Sequence, residues 1–240
     1  MKQVSPDTEL EIVDVETVIA GGATSKEFWF ENAAHFAEEI LKRDLDIIGS
    51  LILLLLTAPV FLILAVLVAA DGGPVFFSHR RVGRNGVTFG CWKFRTMVVG
   101  AEDCLSEYLR YHPEARVEWD RAQKLAADPR VTPLGGFLRK STLDEIPQLW
   151  NVLLGDMSLV GPRPVTESEM RDRYGAYAKV VTSVRPGVTG PWQVTPARNE
   201  IDYRRRVQLD ASYVSKRSVV TDFAILLQTM LLVLRRGGPQ

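Results

Sequence analysis

The feature that most constrains this chain is a run of 24 residues without a charge, Ile47 to Ala70, interrupted near its centre by Pro59. As a helix the run would measure ~36 Å against the ~30 Å hydrocarbon thickness of a bilayer, so it belongs in a membrane. Pro59 removes one helical hydrogen bond and crowds the preceding turn, which predicts two half-helices or one kinked helix. Each half would reach only ~18 Å, too short to cross alone. Basic residues flank both ends, Lys42 and Arg43 before the run and Arg80, Arg81 and Arg84 after it. A re-entrant hairpin with both ends on the cytoplasmic side satisfies those cations. A kinked spanning helix satisfies the length equally well, because proline is tolerated in such helices.

The zero net charge hides an asymmetry. Residues 1 to 44 hold ten acids and four bases, so this segment carries −6 and the remainder +6. A basic body suits an anionic substrate or membrane surface, although a solvated basic face is the commoner explanation of a modest excess. Residues 1 to 40, with scattered charge and a Gly21-Gly22 break, read as a partly disordered acidic extension with one short helix near Phe28 to Ile40. The apolar run follows an acidic leader rather than a basic one, which argues against a secretory signal. Cys91 and Cys104 lack metal-ligand spacing and fit reduced thiols.

Beyond the run, Gly72-Gly73-Pro74 marks a turn, and Val75 to Phe77 with Val87 to Val99 reads as a hairpin. Leu105, Leu109 and Trp119 have helical spacing around a break at Pro113, and a second helix is expected from Ser141 to Leu154. Residues 157 to 200 read as ordered loop with short strands, and 200 to 214 and 221 to 236 as helices. Phe223 to Leu234, ending in Arg235-Arg236, suits a helix lying at a membrane interface or one packed in a core. The fold class is therefore α+β: a membrane helix broken at Pro59, then a small mixed α/β domain with amphipathic helices.

The chemistry concentrates in Leu138 to Leu149, where Asp144 and Glu145 stand side by side. Thr142 and Glu145 have the spacing of a capping box, so helix capping is a sufficient explanation of the acids taken alone. Several cations in constrained settings point elsewhere: Lys93 and Arg95 in Lys93-Phe94-Arg95-Thr96-Met97, Arg139, and Arg163 between Pro162 and Pro164. A carboxylate nucleophile can approach an anionic diphosphate only where Arg, Lys or a divalent metal neutralises that charge. Carboxylate oxygens suit magnesium, with substrate phosphates and water completing the shell. His35, His79 and His112 are isolated and read as surface or structural residues, and no G-x-x-x-x-G-K-[ST] phosphate loop occurs.

Residues 42 to 236 resemble the bacterial sugar transferases, the small monotopic phosphoglycosyl transferases that start lipid-linked glycan assembly. The resemblance runs in order through Lys42-Arg43, the proline-interrupted helix, Gly73-Pro74-Val75-Phe76-Phe77, Arg81-Val82-Gly83 and Lys93-Phe94-Arg95-Thr96-Met97. It continues through Leu143-Asp144-Glu145-Ile146-Pro147-Gln148-Leu149, Gly155 to Pro164 and Arg185-Pro186-Gly187-Val188-Thr189-Gly190. It implies a re-entrant helix over 41–71 and a cytoplasmic catalytic domain over 72–236, on the inner membrane of a bacterium. It also implies transfer of a hexose 1-phosphate, galactose or glucose, from a UDP-sugar to undecaprenyl phosphate as the first step of exopolysaccharide assembly. Asp144 would be the nucleophile, and Glu145 its partner in catalysis and in holding Mg2+. Lys93, Arg95, Arg139, Arg163 and Arg185 match positions around the phosphates and nucleotide. Trp192-Gln193-Val194 matches the exopolysaccharide group, whereas Thr195-Pro196-Ala197-Arg198 is one residue longer than its usual segment and lacks the glycine, which bears on the choice of sugar. Membrane lipid is an expected partner and nucleic acid is not; a homodimer stays open. The rival reading is a catalytically silent membrane scaffold of the same fold, recruiting assembly partners.

Overall fold

Helical backbone geometry extends well beyond the uncharged run. The computed structural model describes residues 25–122, 124–196 and 201–236, and in it helix α1 runs from Ser25 to Ala69 with Pro59 inside it. Most of the acidic leader, residues 1–24, lies outside the described residues. The chain divides into two compact units, Met1–Leu41 and Lys42–Gln240, and the candidate site lies wholly in the second.

Of the two forms expected around Pro59, two half-helices or one kinked helix, the backbone takes the single helical element with the proline inside it, and packing holds both halves. Asp46, Ser50, Leu64 and Val68 are buried, Leu54 and Phe61 pack against core clusters, and all six fall on one face at helical spacing on both sides of the proline. Burying an aliphatic side chain contributes about 1.5–3 kcal/mol, so a few such contacts offset the ~3 kcal/mol cost of an internal proline. The other faces keep their apolar side chains exposed, with Leu55 at 76%, Leu56 at 71% and Val66 at 71%.

Ionic and polar contacts reinforce the first half of that face. Asp46 Oδ1 accepts from Ser158 Oγ at 3.1 Å, from the Leu159 N–H at 3.0 Å and from Lys42 Nζ at 3.0 Å. Lys42 also reaches Asp222 Oδ2 at 2.7 Å, and Tyr213 donates its hydroxyl to Asp222 Oδ1 at 2.6 Å. Arg43 donates to the Val152 and Leu153 carbonyls at 2.6 and 2.9 Å.

The hairpin is antiparallel, β1 Phe76–Val82 against β2 Thr88–Phe94, with Phe77 opposite Lys93 and His79 opposite Cys91. It ends earlier than expected because residues after Phe94 turn to meet a second segment: Val98 N–H donates to Arg130 O and Thr132 N–H to Thr96 O. Helices α2 Ala101–Tyr111 and α3 Pro113–Ala122 separate at the expected proline. The single helix expected over Ser141 to Leu154 is instead α4 Pro133–Ser141, a 3-10 turn Leu143–Glu145, and α5 Gln148–Leu154. Strand β3 Ser158–Val160 pairs parallel with β4 Gly187–Thr189. Short helices α6 Glu167–Glu169, α7 Ala178–Thr182 and α8 Pro191–Val194 flank them, followed by α9 Tyr203–Lys216 and α10 Val219–Arg236. Helix α10 buries Ile225 in the main core but exposes Val220, Phe223 and Met230.

Two glycine contacts fix the site loops. A Cβ at Gly187 would stand 2.1 Å from Gly161 N, so backbone meets backbone where the two proline-glycine motifs cross. A Cβ at Gly135, in the first turn of α4, would stand 1.9 Å from Thr96 O, whereas one at Gly136 would meet only Val131 at 4.0 Å. Gly135→Ala should therefore lower the melting temperature sharply or prevent folding. Gly136→Ala should hold or gain up to about 1 kcal/mol from helix propensity, and thermal denaturation of the pair checks this.

Candidate active site

Helix α4 starts from an unambiguous local signal. Thr132 accepts the Gly135 N–H at 2.9 Å and Pro133 occupies the first helical position. It ends at Thr142, which lies in the left-handed region at φ 64°, ψ 12°, a conformation more usual for glycine at a helix C-terminus. For a β-branched residue this stores on the order of 1–3 kcal/mol of strain, and it turns the next three residues out of the helix axis. Asp144 and Glu145 thus sit on a 3-10 turn, and the Thr142 side chain makes no cap. Helix capping does not account for the two acids. A true capping box occurs elsewhere, with Thr166 Oγ1 accepting from Glu169 N–H and Glu169 Oε2 accepting from Thr166 N–H.

Lys93 reaches this turn from the end of β2. Its Nζ is 2.6 Å from Glu145 Oε1 and 3.8 Å from Asp144 Oδ2. Asp144 is buried, which pushes its carboxyl above the usual range, opposed by the positive charges of Lys93 and Arg139. Arg139 itself is oriented by donating Nε to Thr96 Oγ1 at 2.9 Å. Burial withholds water from this carboxylate while the neighbouring cations favour its charged form, the form that acts as a nucleophile.

The remaining expected cations separate into two kinds. Arg95 has all five guanidinium donors engaged: Nε with Pro74 O, Nη1 with Asp71 Oδ2 and Met97 O, and Nη2 with Val68 O and Asp71 Oδ1. It fastens the end of α1 to the body, with all of its donors turned to acceptors of the protein. Arg185 donates Nε to Gly155 O at 2.8 Å, at the C-terminus of α5. Arg163 differs: its guanidinium lies over the Trp192 ring at 5.5 Å, and no carboxylate stands within ion-pair distance of it among the described residues. Lys93, Arg81, Glu145 and Arg163 all bear electrostatically on Cys91, whose thiol is pushed up to about 11 chiefly by burial. Arg163 and Glu145 thus both lie within electrostatic reach of Cys91.

Three contributors escaped the sequence reading. Asn151, fully buried, accepts the Trp92 N–H at 3.0 Å and donates to Gly90 O at 2.8 Å, binding β2 to α5. A polar residue within Leu149-Trp150-Asn151-Val152-Leu153-Leu154 was the available signal. Asp210 receives the Arg163 N–H at 3.4 Å from beneath the proline-flanked loop, and burial raises its carboxyl to about 7. Asp71, whose carboxyl Arg95 holds down at about 2, had no local signal. In the departing segment, Thr195 donates to Pro191 O at 2.9 Å, while Ala197 and Arg198 lie outside the described residues.

The chain matches the family described as bacterial sugar transferase over residues 37–236. It is 49% identical over 207 residues to an uncharacterized sugar transferase of Haemophilus influenzae, covering 86% of this chain and 44% of that protein. It is 46% identical over 207 residues to the undecaprenyl-phosphate galactose phosphotransferase of Salmonella typhimurium, covering 86% of this chain and 43% of that one. With the exopolysaccharide production protein ExoY of Rhizobium meliloti it shares 46% over 199 residues, covering 82% and 87%. The chain thus spans less than half the length of the first two relatives and most of the third.

The fastening role of Arg95 is directly testable. Arg95→Lys and Asp71→Asn should each lower the melting temperature by several degrees, corresponding to ~1–2 kcal/mol, with the double variant no worse than Arg95→Lys. A phosphate ligand would behave otherwise, with Arg95→Lys losing activity at unchanged melting temperature and Asp71→Asn silent.

Proposed function

We propose that this chain, which belongs to the bacterial sugar transferase family, moves a hexose 1-phosphate from a UDP-sugar onto undecaprenyl phosphate, opening exopolysaccharide assembly. The observation that carries the reading is the buried Asp144 on its strained turn, with Lys93 between it and Glu145 and the charge of Arg139 bearing on it. Asp144 Oδ attacks the β-phosphorus, the bond from that phosphorus to the bridging oxygen breaks, and UMP leaves with the bridging oxygen. A phosphate oxygen of undecaprenyl phosphate then attacks the same phosphorus and releases the Asp144 carboxylate. Lys93, Arg139 and Arg163 offset the charge that accumulates on the phosphoryl oxygens in both steps.

Asp144 and Glu145 fit a magnesium ion held in the usual way, through one or two carboxylates with substrate phosphates and water completing the shell. Among the described residues no cluster of three or more ligating side chains occurs, which suits that mode better than a fully protein-built cage. Bound there, the ion would neutralise diphosphate oxygens as a Lewis acid.

The apolar stretch, docked at both ends, supports a reading of membrane placement as well. Arg43 at one end of the apolar stretch and Val68 at the other both bond to the same unit, and the intervening face rests on it. A bend at Pro59 would let both basic-flanked ends of the stretch stay on one side of the bilayer. The reading is therefore of a helix that enters and leaves on one side, placed at the cytoplasmic face of the inner membrane where a soluble nucleotide sugar meets a lipid phosphate.

Purified protein with undecaprenyl phosphate and a panel of UDP-hexoses should release UMP and form lipid-linked product with galactose or glucose, and lose both when magnesium is chelated. Asp144→Asn should reduce both by on the order of a thousand-fold or more. Undiminished product from that variant would exclude Asp144 as nucleophile.

A further inference from the structure

Among the described residues Arg163 makes no contact ion pair, although its charge reaches Glu169 and Asp210, and three elements converge on it. Pro162 and Pro164 restrict the backbone on either side. Asp210, fully buried in α9, receives the Arg163 N–H through Oδ2, while its Oδ1 is buried without a hydrogen-bond partner. Trp192, on α8, lies under the guanidinium with its ring centre 5.5 Å from Cζ. The same indole carries a second guanidinium, Arg206 of α9, at 4.7 Å. Trp192 is 9% exposed, so its ring acts as packed support rather than as an open platform for a nucleobase.

We infer that Trp192, together with Asp210, is a positioning residue for Arg163: it aims the guanidinium at the donor diphosphate by cation–π contact instead of by a carboxylate that would compete with the phosphate. An arginine held by an acid must give up that partner to bind an anion. One held by a ring face keeps its five donors available and stays ordered. Asp210 complements this by holding the loop backbone, leaving the side chain free. The inference rests on the proposed donor class and adds to it the device that presents the cation.

Calorimetric binding of UDP to the full-length protein tests the device apart from turnover. Trp192→Leu should weaken UDP binding by roughly ten-fold, the range of a partly desolvated cation–π contact. Trp192→Phe, which keeps a ring and guards against misfolding of the leucine variant, should retain affinity within about three-fold. In an Arg163→Ala background, Trp192→Leu should add less than about two-fold. Equal losses from Trp192→Leu with and without Arg163, or a phenylalanine variant as weak as the leucine one, would overturn the inference. UDP binding with this coupling but no UMP release from any UDP-hexose would support the device and sink the proposed reaction. Failure of the unaltered protein to bind UDP would overturn both.

Discussion

Asn151 presents its amide to the outer edge of β2, taking the Trp92 N–H and giving an N–H to Gly90 O as a neighbouring strand would. The remainder of the site depends on this substitution of a side chain for a ladder rung. A two-stranded hairpin is marginal alone. Tied to α5 by a buried amide, it holds Lys93 opposite the turn that immediately precedes that helix. Loss of the amide would leave two backbone groups unpaired next to the core, at about 1–3 kcal/mol each. The same residue closes its own helix, since Asn151 O accepts from the N–H groups of Gly155, Asp156 and Met157. One side chain thus links the β2 lysine, the acidic turn and the start of the loop that leads to Arg163.

The cations around that scaffold are similar in sequence but divided in task. Arg43, Arg95 and Arg185 satisfy carbonyls at helix ends and hold the chain in place. Lys93 and Arg139 act on the Asp144 carboxylate, whereas Arg163 lies over the Trp192 ring and forms no ion pair at contact distance among the described residues, although its charge reaches Glu169 and Asp210. Arginine suits both tasks because its planar fork can bridge several carbonyls or lie flat on an indole, and only the surrounding structure decides between them.

Much of this was legible from the residues, and the gaps have physical causes. The apolar run, the hairpin and the Pro113 break carry local signals in hydropathy, branching and proline chemistry, and all three appear. Thr132-Pro133 was also a local helix start, although attention to the acids placed the helix too late. What could not be read locally was Thr142: its left-handed conformation follows from where α4 ends, and threonine does not advertise it as glycine would. Arg95 and Asp71 lie 24 residues apart, and their pairing exists only once α1 has docked.

The central claim is that Asp144 forms a covalent bond to phosphorus. Intact-mass analysis of the protein after incubation with a UDP-hexose, without lipid acceptor, measures it most directly. The account predicts a mass increase of one hexose phosphate less water, mapped by peptide sequencing to Asp144 and discharged on addition of undecaprenyl phosphate. An unmodified protein that still releases UMP, or a modification that maps to Glu145 or to another residue, would contradict it.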